Sequence, residues 1–396
     1  MAVRLPSSLA FGPKLASRRV RLVLLSVLVF LAATALTRLP AWSLIDYRAF
    51  DYLSTLWHAP LPDDGPVIVA IDEPSFADIN LQWPWPRSLH GQLVNALRDA
   101  GAKVIALDVI FSEPTTAGED EALAAALGPD VVLAGDETLI SSAQADQFVR
   151  TLPLAQFTDT GARAGIASIS LGGDGTIRTL PEPDDSFAAR IAEAAGLPVT
   201  LPAGGMLMQT FGGPRTYPTV SYYQALDPAN LLPPETFRDR VVIVGLSLQN
   251  APSVAAGGAD AFATSYTVRT GRLVAGAEIH ATIFDNLRTA NGIAEATPML
   301  KGAFVLVAVL LAVFLVWRGT GWPAAFGGAA YILAMVAASY LTLRFGRTFV
   351  SPIAPSMALA VIGIAQATLD YAAERRGRRE IMRAFGQYLS PDLVTR

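Results

Sequence analysis

Residues 66–111 read PVIVAIDEPSFADINLQWPWPRSLHGQLVNALRDAGAKVIALDVIF, and this stretch decides the fold of the region around it. Residues 66–72 and 102–111 are short apolar runs rich in β-branched side chains, which is typical of strands buried on both faces of a parallel sheet. Residues 88–101 lie between them, place apolar side chains at helical spacing and end in a glycine, which is typical of an amphipathic helix with its C-terminal cap. A strand, a helix and a strand in this order predict a right-handed βαβ unit.

Further patterns extend this unit along the chain. RVVIVGLS at 240–247 predicts a third buried strand and VVLAG at 131–135 a weaker one, whereas EDEALAAALG at 119–128 and VAGAEIHATIFDNLRT at 274–289 predict helices. Residues 161–219 are rich in Gly and Pro with short alternating runs, which favours an irregular or antiparallel β insertion. We therefore expect an α/β domain with a mainly parallel sheet flanked by helices.

The whole chain is too apolar for a purely globular protein. Its 396 residues are 52% hydrophobic and 16% charged, against the roughly 25% charged residues of a soluble domain. The apolar excess lies in one run near the N-terminus and three near the C-terminus, each close to the ~20 residues that cross a bilayer. The predicted parts are a cytoplasmic basic N-terminus (1–19), an anchor helix (20–39), an extracytoplasmic domain (40–297), three further spans (302–318, 322–343 and 349–370) and a cytoplasmic connector (371–396).

The first apolar run has two interpretations. A basic segment precedes it, which is typical of an export signal. Ala33-Thr34-Ala35 fits the small-x-small pattern of a cleaved signal peptide, so cleavage is one alternative. We favour an uncleaved anchor because the three later spans indicate a polytopic membrane protein.

Charge divides the chain into an acidic domain and basic flanks. Residues 40–297 carry 14 Lys and Arg against 30 Asp and Glu, a balance of −16, and the remaining residues carry 16 against 4, a balance of +12. Basic residues flank the first and last spans, so the positive-inside rule places both termini in the cytoplasm and the acidic domain outside. Arg344 and Arg347, in a short outer turn, oppose this orientation. The acidic domain argues against nucleic-acid binding, which needs a cationic surface.

Carboxylates at the ends of the predicted strands are the first candidates for a ligand site. Asp72, Glu73, Asp108 and Ser247 follow three of these strands, and open α/β sheets bind ligands at the carboxyl ends of their strands. Asp72 and Asp108, if at adjacent strand ends, could hold a divalent cation or a polar ligand. The alternative, which we favour, is that these side chains cap helices and hydrogen-bond to loop backbone.

The segment LQWPWPRS adds aromatic candidates to the same region. Trp83 and Trp85 each precede a proline, which favours extended backbone and predicts that the two indoles point apart. Together with Arg87 they would form either a ligand clamp or a lid on the sheet, and pairing of Arg87 with an aspartate is the simpler interpretation.

Catalytic and cofactor motifs are poor. The sequence has no HExxH, no glycine-rich phosphate loop and no defensible Ser-His-Asp order, so we assign no catalytic residue. The absence of cysteine excludes disulfides, Fe–S clusters, thiolate zinc sites and cysteine nucleophiles, and we expect neither a metal nor a cofactor.

The order of motifs carries a family resemblance. VAIDEPSF, then WPWPRSLHGQLVNALRDAGAKVIALDVIFSEP, RDRVVIVGLS, DAFATSYT and finally AGAEIHATIFDNL resemble the extracellular sensor domain of the second CHASE class, found in bacterial receptors, over residues 45–290. One N-terminal anchor and three spans after the sensor also match the usual plan of that family. The resemblance implies an input domain for an unknown extracytoplasmic ligand, in a multi-pass protein of the bacterial inner membrane with its sensor periplasmic or extracellular.

The C-terminal segment carries a second resemblance. REIMRAFGQYLSPDLV, residues 379–394, is similar to the connector that precedes the catalytic domain of class III adenylate cyclases. Ile381, Phe385 and Leu389 share one helical face, which predicts a parallel homodimer of connector helices, and Gly377 is a candidate hinge. These features together predict a membrane receptor module that controls adenylate or guanylate cyclase output. The alternatives are the sensor of a kinase and an extracytoplasmic binding protein without signalling.

Overall fold

A computed structural model describes residues 18–57, 59–141, 145–181, 185–197, 205–248, 260–319 and 321–388. Its helices are α1 (Arg18–Leu36), α2 (Pro40–Ser54), α3 (Glu73–Ile79), α4 (Arg87–Asp99), α5 (Ala117–Ala126), α6 (Ala155–Thr158), α7 (Phe187–Ala194), α8 (Tyr222–Leu226), α9 (Pro228–Leu231), α10 (Thr267–Thr270), α11 (Gly276–Thr289), α12 (Pro298–Arg318), α13 (Trp322–Gly346) and α14 (Ile353–Tyr388). Its strands are β1 (Val67–Ile71), β2 (Val104–Ile110), β3 (Val131–Ser141), β4 (Asp146–Thr151), β5 (Arg163–Ile166), β6 (Thr176–Ile177), β7 (Thr219–Ser221), β8 (Val241–Leu246), β9 (Ala261–Thr264), β10 (Val274–Ala275), β11 (Ala294–Glu295) and β12 (Thr348–Phe349).

The chain forms two compact units. The sheet unit consists of Tyr47–Glu295 and Tyr340–Phe349, and the helical unit consists of Met1–Asp46, Ala296–Ser339 and Val350–Arg396. Helices α2 and α13 continue from one unit into the other, so the division follows packing and does not coincide with helix ends.

The main sheet of the sheet unit confirms the expected α/β class. Its strands are ordered β4-β3-β2-β8-β1-β7, with β5 also paired to β3, and every pairing except that of β3 with β4 is parallel. The two strands of the opening motif are not neighbours, so Asp72 and Asp108 do not lie at adjacent strand ends. Strand β8, from much later in the chain, lies between β1 and β2 and pairs with both of them. The two strands of the opening motif are therefore separated by one strand.

Each face of the main sheet has its own core, because alternate residues of a strand point to opposite faces. Val104 and Ala106 of β2 pack on the face covered by α7 and α11. Ile105 and Leu107 pack on the face covered by α4, α5 and α8. Helix α4 forms where the sequence predicts it and buries Leu93, Val94 and Leu97 completely, each contributing roughly 1.5–3 kcal/mol relative to exposure.

The region expected as an irregular or antiparallel insertion contains regular structure. Strand β5 pairs in parallel with β3, and β6 pairs in parallel with β9 in a small three-stranded sheet. Helix α7 lies between them and begins at Ser186, whose hydroxyl accepts a hydrogen bond from the Ala189 N–H. The abundance of Gly and Pro concealed this helix, because its eight residues are too few to show a periodicity of their own.

Within the described residues, four helices are long and apolar enough to cross a membrane, at Arg19–Leu36, Pro298–Arg318, Trp322–Gly346 and Ile353–Arg383. Buried side chains of α1, α12 and α14, such as Ala33, Val309 and Ala358, pack together in one apolar core. Helix α12 starts a few residues before the expected position because Thr297 caps it and Pro298 occupies its first turn.

The last helix continues well beyond the span. Helix α14 runs without interruption from Ile353 to Tyr388, so the last span and residues 371–388 of the expected connector form one helix. It starts after position 349, where the span was expected, because Thr348–Phe349 forms β12 and pairs with β11. The side chain of Phe385 and all of Leu389 lie outside the described part of the chain.

Candidate functional site

The carboxylate of Asp72 caps the helix that follows its strand. Asp72 is buried, and its Oδ1 accepts hydrogen bonds from the Ser75 N–H at 3.2 Å and the Ser75 hydroxyl at 2.7 Å. Its Oδ2 accepts a bond of 2.7 Å from the hydroxyl of Ser221, at the end of β7. Both oxygens are used inside the protein, so the capping interpretation describes this residue. Glu73 is the first residue of α3, where a negative charge complements the helix dipole.

An aromatic cluster lies beside this cap. Trp83 and Trp85 contact each other with ring centroids 5.4 Å apart, so the expectation that the indoles point apart was wrong. Trp85 is buried and packs 4.8 Å from the ring of Tyr222, the residue after Ser221, and 5.1 Å from that of Phe76. Trp83 keeps 38% of its surface exposed. The cluster therefore presents one indole to solvent and uses the other to hold it.

A buried histidine completes the aromatic cluster. His90 on α4 lies edge-on to Trp83, and its Nδ1 shares a 2.9 Å hydrogen bond with the hydroxyl of Tyr222. Burial, with a smaller contribution from the charge of Arg87, lowers the pKa of His90 to about 4. The imidazole is neutral at physiological pH, as its aromatic surroundings require.

Arg87 pairs with an aspartate, as the sequence suggested. Its guanidinium donates to the carboxylate of Asp120 on α5 and to the backbone oxygen of Glu113, and it lies over the rings of Phe111 and Phe157. Hydrogen bonding from Thr115, reinforced by Arg87, lowers the pKa of Asp120. This arginine ties the start of α4 to α5.

Asp108 lies on the opposite face of the sheet from the aromatic cluster. Strand alternation places it with Val104 and Ala106, on the face covered by α11. Its carboxylate lies 3.9 Å from Nε2 of His280, a residue of α11. Asp260, just before β9, interacts electrostatically with the side chains of Asp108 and His280. We call these three residues the acid–histidine group.

Two glycines allow these carboxylates to lie close to neighbouring backbone. A Cβ at Gly245 of β8 would lie 3.1 Å from that of Asp108, and a Cβ at Gly276 would lie 2.5 Å from Oδ1 of Asp260. Any larger residue at Gly276 would therefore displace Asp260.

Burial controls the protonation of the acid–histidine group. It raises the pKa of Asp108 to about 7 and, together with the charge of Asp108, that of Asp260 to about 6. Burial lowers the pKa of His280 to about 4. The contact of Asp108 with His280 is therefore not a full ion pair near neutral pH, and this group is poised to take up or release a proton.

The predicted site residues are thus divided between two faces of the sheet. Asp72, Trp83 and Trp85 lie together, and Ser247 lies at the end of β8, where its N–H donates to the Ile71 oxygen at 3.1 Å. Asp108 lies apart from them on the α11 face. Over the described ranges, no group of three or more His, Asp or Glu side chains could hold a metal ion.

Sequence reasoning missed several partners in this region. Ser221 and Asp120 hold Asp72 and Arg87, but neither belongs to a motif that could have revealed it. Alternation along β2 predicts the face of the sheet on which Asp108 lies. Its pairing with His280 could have been predicted only if β8 had been known to lie beside β2.

Of the predicted signal-coupling residues, Gly377 and Ile381 lie in the described C-terminal part of α14. Ile381 is 58% exposed, and a Cβ at Gly377 would meet no atom within 4 Å. Arg378, one turn after Glu374, forms an ion pair with it at 2.7 Å. An exposed isoleucine among charged residues fits the expected apolar face of a pairing helix.

Comparison with known proteins gives one family match. The family model described as CHASE2 domain matches residues 24–317, which is more than half of the chain. Neither the comparison with curated proteins nor that with solved structures finds a match.

Proposed function

The chain belongs to the CHASE2 domain family, and from this we propose that it is the sensor and transmembrane input module of a receptor that controls nucleotide cyclisation. CHASE2 domains are extracellular sensor domains of signalling receptors, and the four apolar helices make this chain a membrane protein of that kind. The cyclase output is our inference from the C-terminal connector.

The continuity of α14 is the observation that carries this proposal. The helix starts in a candidate span, has its one proline at Pro355 in the first turn, and runs on through Arg375–Arg383 to Tyr388 without a break. A continuous helix transmits rotation or translation, because its backbone hydrogen bonds resist bending. Its last residues belong to the phrase FGQYLSP, which resembles the segment before class III cyclase domains. A module that only binds a ligand has no need of such a connector.

We propose that the signal acts at the carboxyl edge of the sheet. Trp83 is the predicted contact residue with an indole available to a ligand, while Trp85 and Asp72 hold the surrounding elements. The acid–histidine group at the same edge offers a second means of response, through a change of protonation. The roles of Glu73, Arg87, Asp108 and Ser247 in ligand binding stay predictions.

The membrane arrangement we propose is that of a bacterial inner-membrane receptor. Basic residues flank the first and last spans and the intervening domain has a balance of −16, so the positive-inside rule favours an external sensor and cytoplasmic termini. Two copies would pair through the Ile381 face of α14, because receptor cyclases work as dimers in the family that the connector resembles.

A fusion experiment tests the output. The full chain is joined after Arg396 to a class III cyclase catalytic domain and produced in a bacterium without its own cyclase, and cyclic nucleotide is measured. We expect activity with the native connector and loss of activity when residues 379–394 are replaced by a Gly-Ser segment of equal length.

Changing the helical phase provides the matched control. One alanine inserted after Gly377 rotates everything beyond it by about 100°, whereas seven inserted residues restore the phase nearly completely. We expect the first insertion to reduce cyclase activity and the second to retain it. Equal activity with the native connector and the Gly-Ser segment would contradict a cyclase-coupling role and favour the kinase or the non-signalling alternative.

A further inference from the structure

A polar cavity of about 360 Å³ lies in the sheet unit, at the C-terminal end of α13. It is large enough for a small ligand or a lipid headgroup. The side chains that matter for its chemistry are those of Arg344, Arg347, Trp57, Asn291 and Tyr340. None of the residues that line the cavity within the described chain is an aspartate or glutamate.

Two guanidinium groups share this cavity without a carboxylate partner. Arg344 lies over the ring of Trp57, and Nη1 of Arg347 donates to the Asn291 backbone oxygen at 3.0 Å. Among the residues whose positions are described, neither arginine forms an ion pair with Asp or Glu. Burial lowers the pKa of Arg347, and the positive charge of Arg344 lowers it further. Two like charges held in one cavity repel each other, and a bound anion would offset that cost.

The backbone fixes Arg347 in place. Its φ is +48°, in the left-handed region that a side chain with a Cβ rarely occupies. Its carbonyl accepts a 2.9 Å hydrogen bond from the Ala294 N–H, and the next two residues form β12, paired with β11. The structure therefore holds this arginine beside the cavity at some conformational cost.

The orientation of the membrane spans makes these arginines unusual. Arg344 lies in the last turn of α13 and Arg347 directly after that helix, on the side that the charge pattern places outside, where the positive-inside rule disfavours Lys and Arg. The helix dipole favours a cation at the C-terminal end of α13. One exposed arginine would be enough for that effect, so the dipole does not explain two arginines that share a cavity.

We infer that this cavity binds a phosphate group through Arg344 and Arg347. The guanidinium fork matches phosphate oxygens in geometry, and two such groups match phosphate in charge. Asn291 and Tyr340, whose side chains make no hydrogen bond within the described part of the chain, supply further donors. The phosphate could belong to an anionic lipid headgroup or to a soluble phosphate compound. The inference concerns binding alone and does not depend on a cyclase output.

The test measures lipid and phosphate binding to the full chain. The protein is released from nanodiscs that contain phosphatidylcholine with one fifth phosphatidylglycerol, and retained lipids are counted by native mass spectrometry. The variant R344Q/R347Q is compared with R375Q/R376Q, which loses the same charge from the connector. We expect R344Q/R347Q to lose at least one bound phosphatidylglycerol with about tenfold weaker retention, and the control to keep it.

A second measurement, of the binding of a soluble phosphate compound, distinguishes the two sources of phosphate. Glycerol 3-phosphate is titrated against the wild-type chain in pure phosphatidylcholine nanodiscs, and binding is measured by calorimetry. Binding that R344Q/R347Q abolishes supports the soluble source, and selective phosphatidylglycerol retention without it supports the lipid source. Equal behaviour of wild type and R344Q/R347Q in both arms, with unchanged melting temperatures, would overturn the inference.

Discussion

Asp108 links protonation to the stability of the sheet unit. Burial raises its pKa in the folded state to about 7, against 3.8 for an exposed aspartate. Its contribution to stability is therefore fully present below pH 3.8 and is lost as the pH rises through 7. Raising the pH from 5 to 8 should destabilise the wild-type chain relative to Asp108→Asn by about 2 kcal/mol. Urea unfolding of the full chain in nanodiscs, followed by tryptophan fluorescence, measures this difference.

An exposed aspartate provides the control for Asp108. Asp99 lies at the end of α4 and its side chain is exposed, so Asp99→Asn removes a similar charge without removing a buried carboxyl. The difference between this variant and the wild type should stay nearly constant over the same pH range. A constant difference for Asp108→Asn as well would mean that Asp108 is ionised in the folded protein at pH 5.

A buried arginine makes a second prediction at the scale of single residues. Arg178 is almost fully buried and donates to both oxygens of Asp51, at 2.8 and 2.6 Å, and to both oxygens of Asp174. Arg178→Gln would leave the buried Asp51 without its cation and Asp174 with only the more distant Arg48, at 3.7 Å, which costs about 3–5 kcal/mol. Arg150, which also pairs with two acids, is half exposed, so water screens its charge and Arg150→Gln should lower the melting temperature much less. Similar melting temperatures for the two variants would contradict this account.

For single residues, the sequence predicted hydrogen-bond and ion-pair partners better than it predicted positions in the fold. The cap at Asp72 and the pairing of Arg87 with an aspartate both follow from local chemistry, and both are confirmed. The packing of Trp83 against Trp85 and the position of Asp108 depend on how distant elements pack, which local patterns do not encode.

Among the elements, α14 carries the prediction most relevant to signalling. Ile381 is exposed in the single chain, whereas a parallel pair of α14 helices would bury it against its counterpart. Because the chain has no cysteine, Ile381→Cys should crosslink efficiently in membranes, and Arg379→Cys and Arg383→Cys should crosslink weakly. Non-reducing gel electrophoresis after mild oxidation measures the dimer. Equal crosslinking at the three positions would leave α14 as a helix held at the membrane surface by its basic residues.

Gly377 offers a matched pair of substitutions within the same helix. Neither Gly377 nor Gly363 would bring a Cβ within 4 Å of another atom, so alanine fits at both positions. Each change should stabilise the helix by about 1 kcal/mol. If Gly377 is a hinge, only Gly377→Ala should alter the signal response of the cyclase fusion. An equal effect of the two variants on that response would mean that helix stability alone matters.

The helices and strands show which features of the fold local sequence patterns can predict and which they cannot. Buried strands and long apolar helices were found because each carries a strong local signal, as in β1, β2, β8 and α4. Strand order was not found, because the insertion of β8 between β1 and β2 is decided by packing across a separation of more than 100 residues. The short β12, which delays the start of α14, has no pattern of its own.

For the whole molecule, the charge asymmetry leads to a prediction about topology. Ten basic residues favour cytoplasmic placement of the N-terminus, of the turn after α12 and of the segment after the last span, against Arg344 and Arg347 on the other side. Reporter fusions should therefore be active only outside the cytoplasm when placed after Gly118, an exposed position before the α5 acids, and after Arg347. Fusions placed after Gly319 and after Arg396 should be active only in the cytoplasm.

The fusion after Gly118 is the most informative, because among the described residues only one candidate span, α1, precedes it and its result fixes the orientation of the acidic domain. Four spans with cytoplasmic termini require the four reporters to alternate along the chain, because an even number of crossings keeps the two termini on the same side of the membrane. Cytoplasmic activity after Gly118 would invert the arrangement and place residues 40–297, with their balance of −16, inside the cell. Neutralising Lys14, Arg18, Arg19 and Arg21 should weaken the orientation of the first span, since these residues supply most of its positive charge bias.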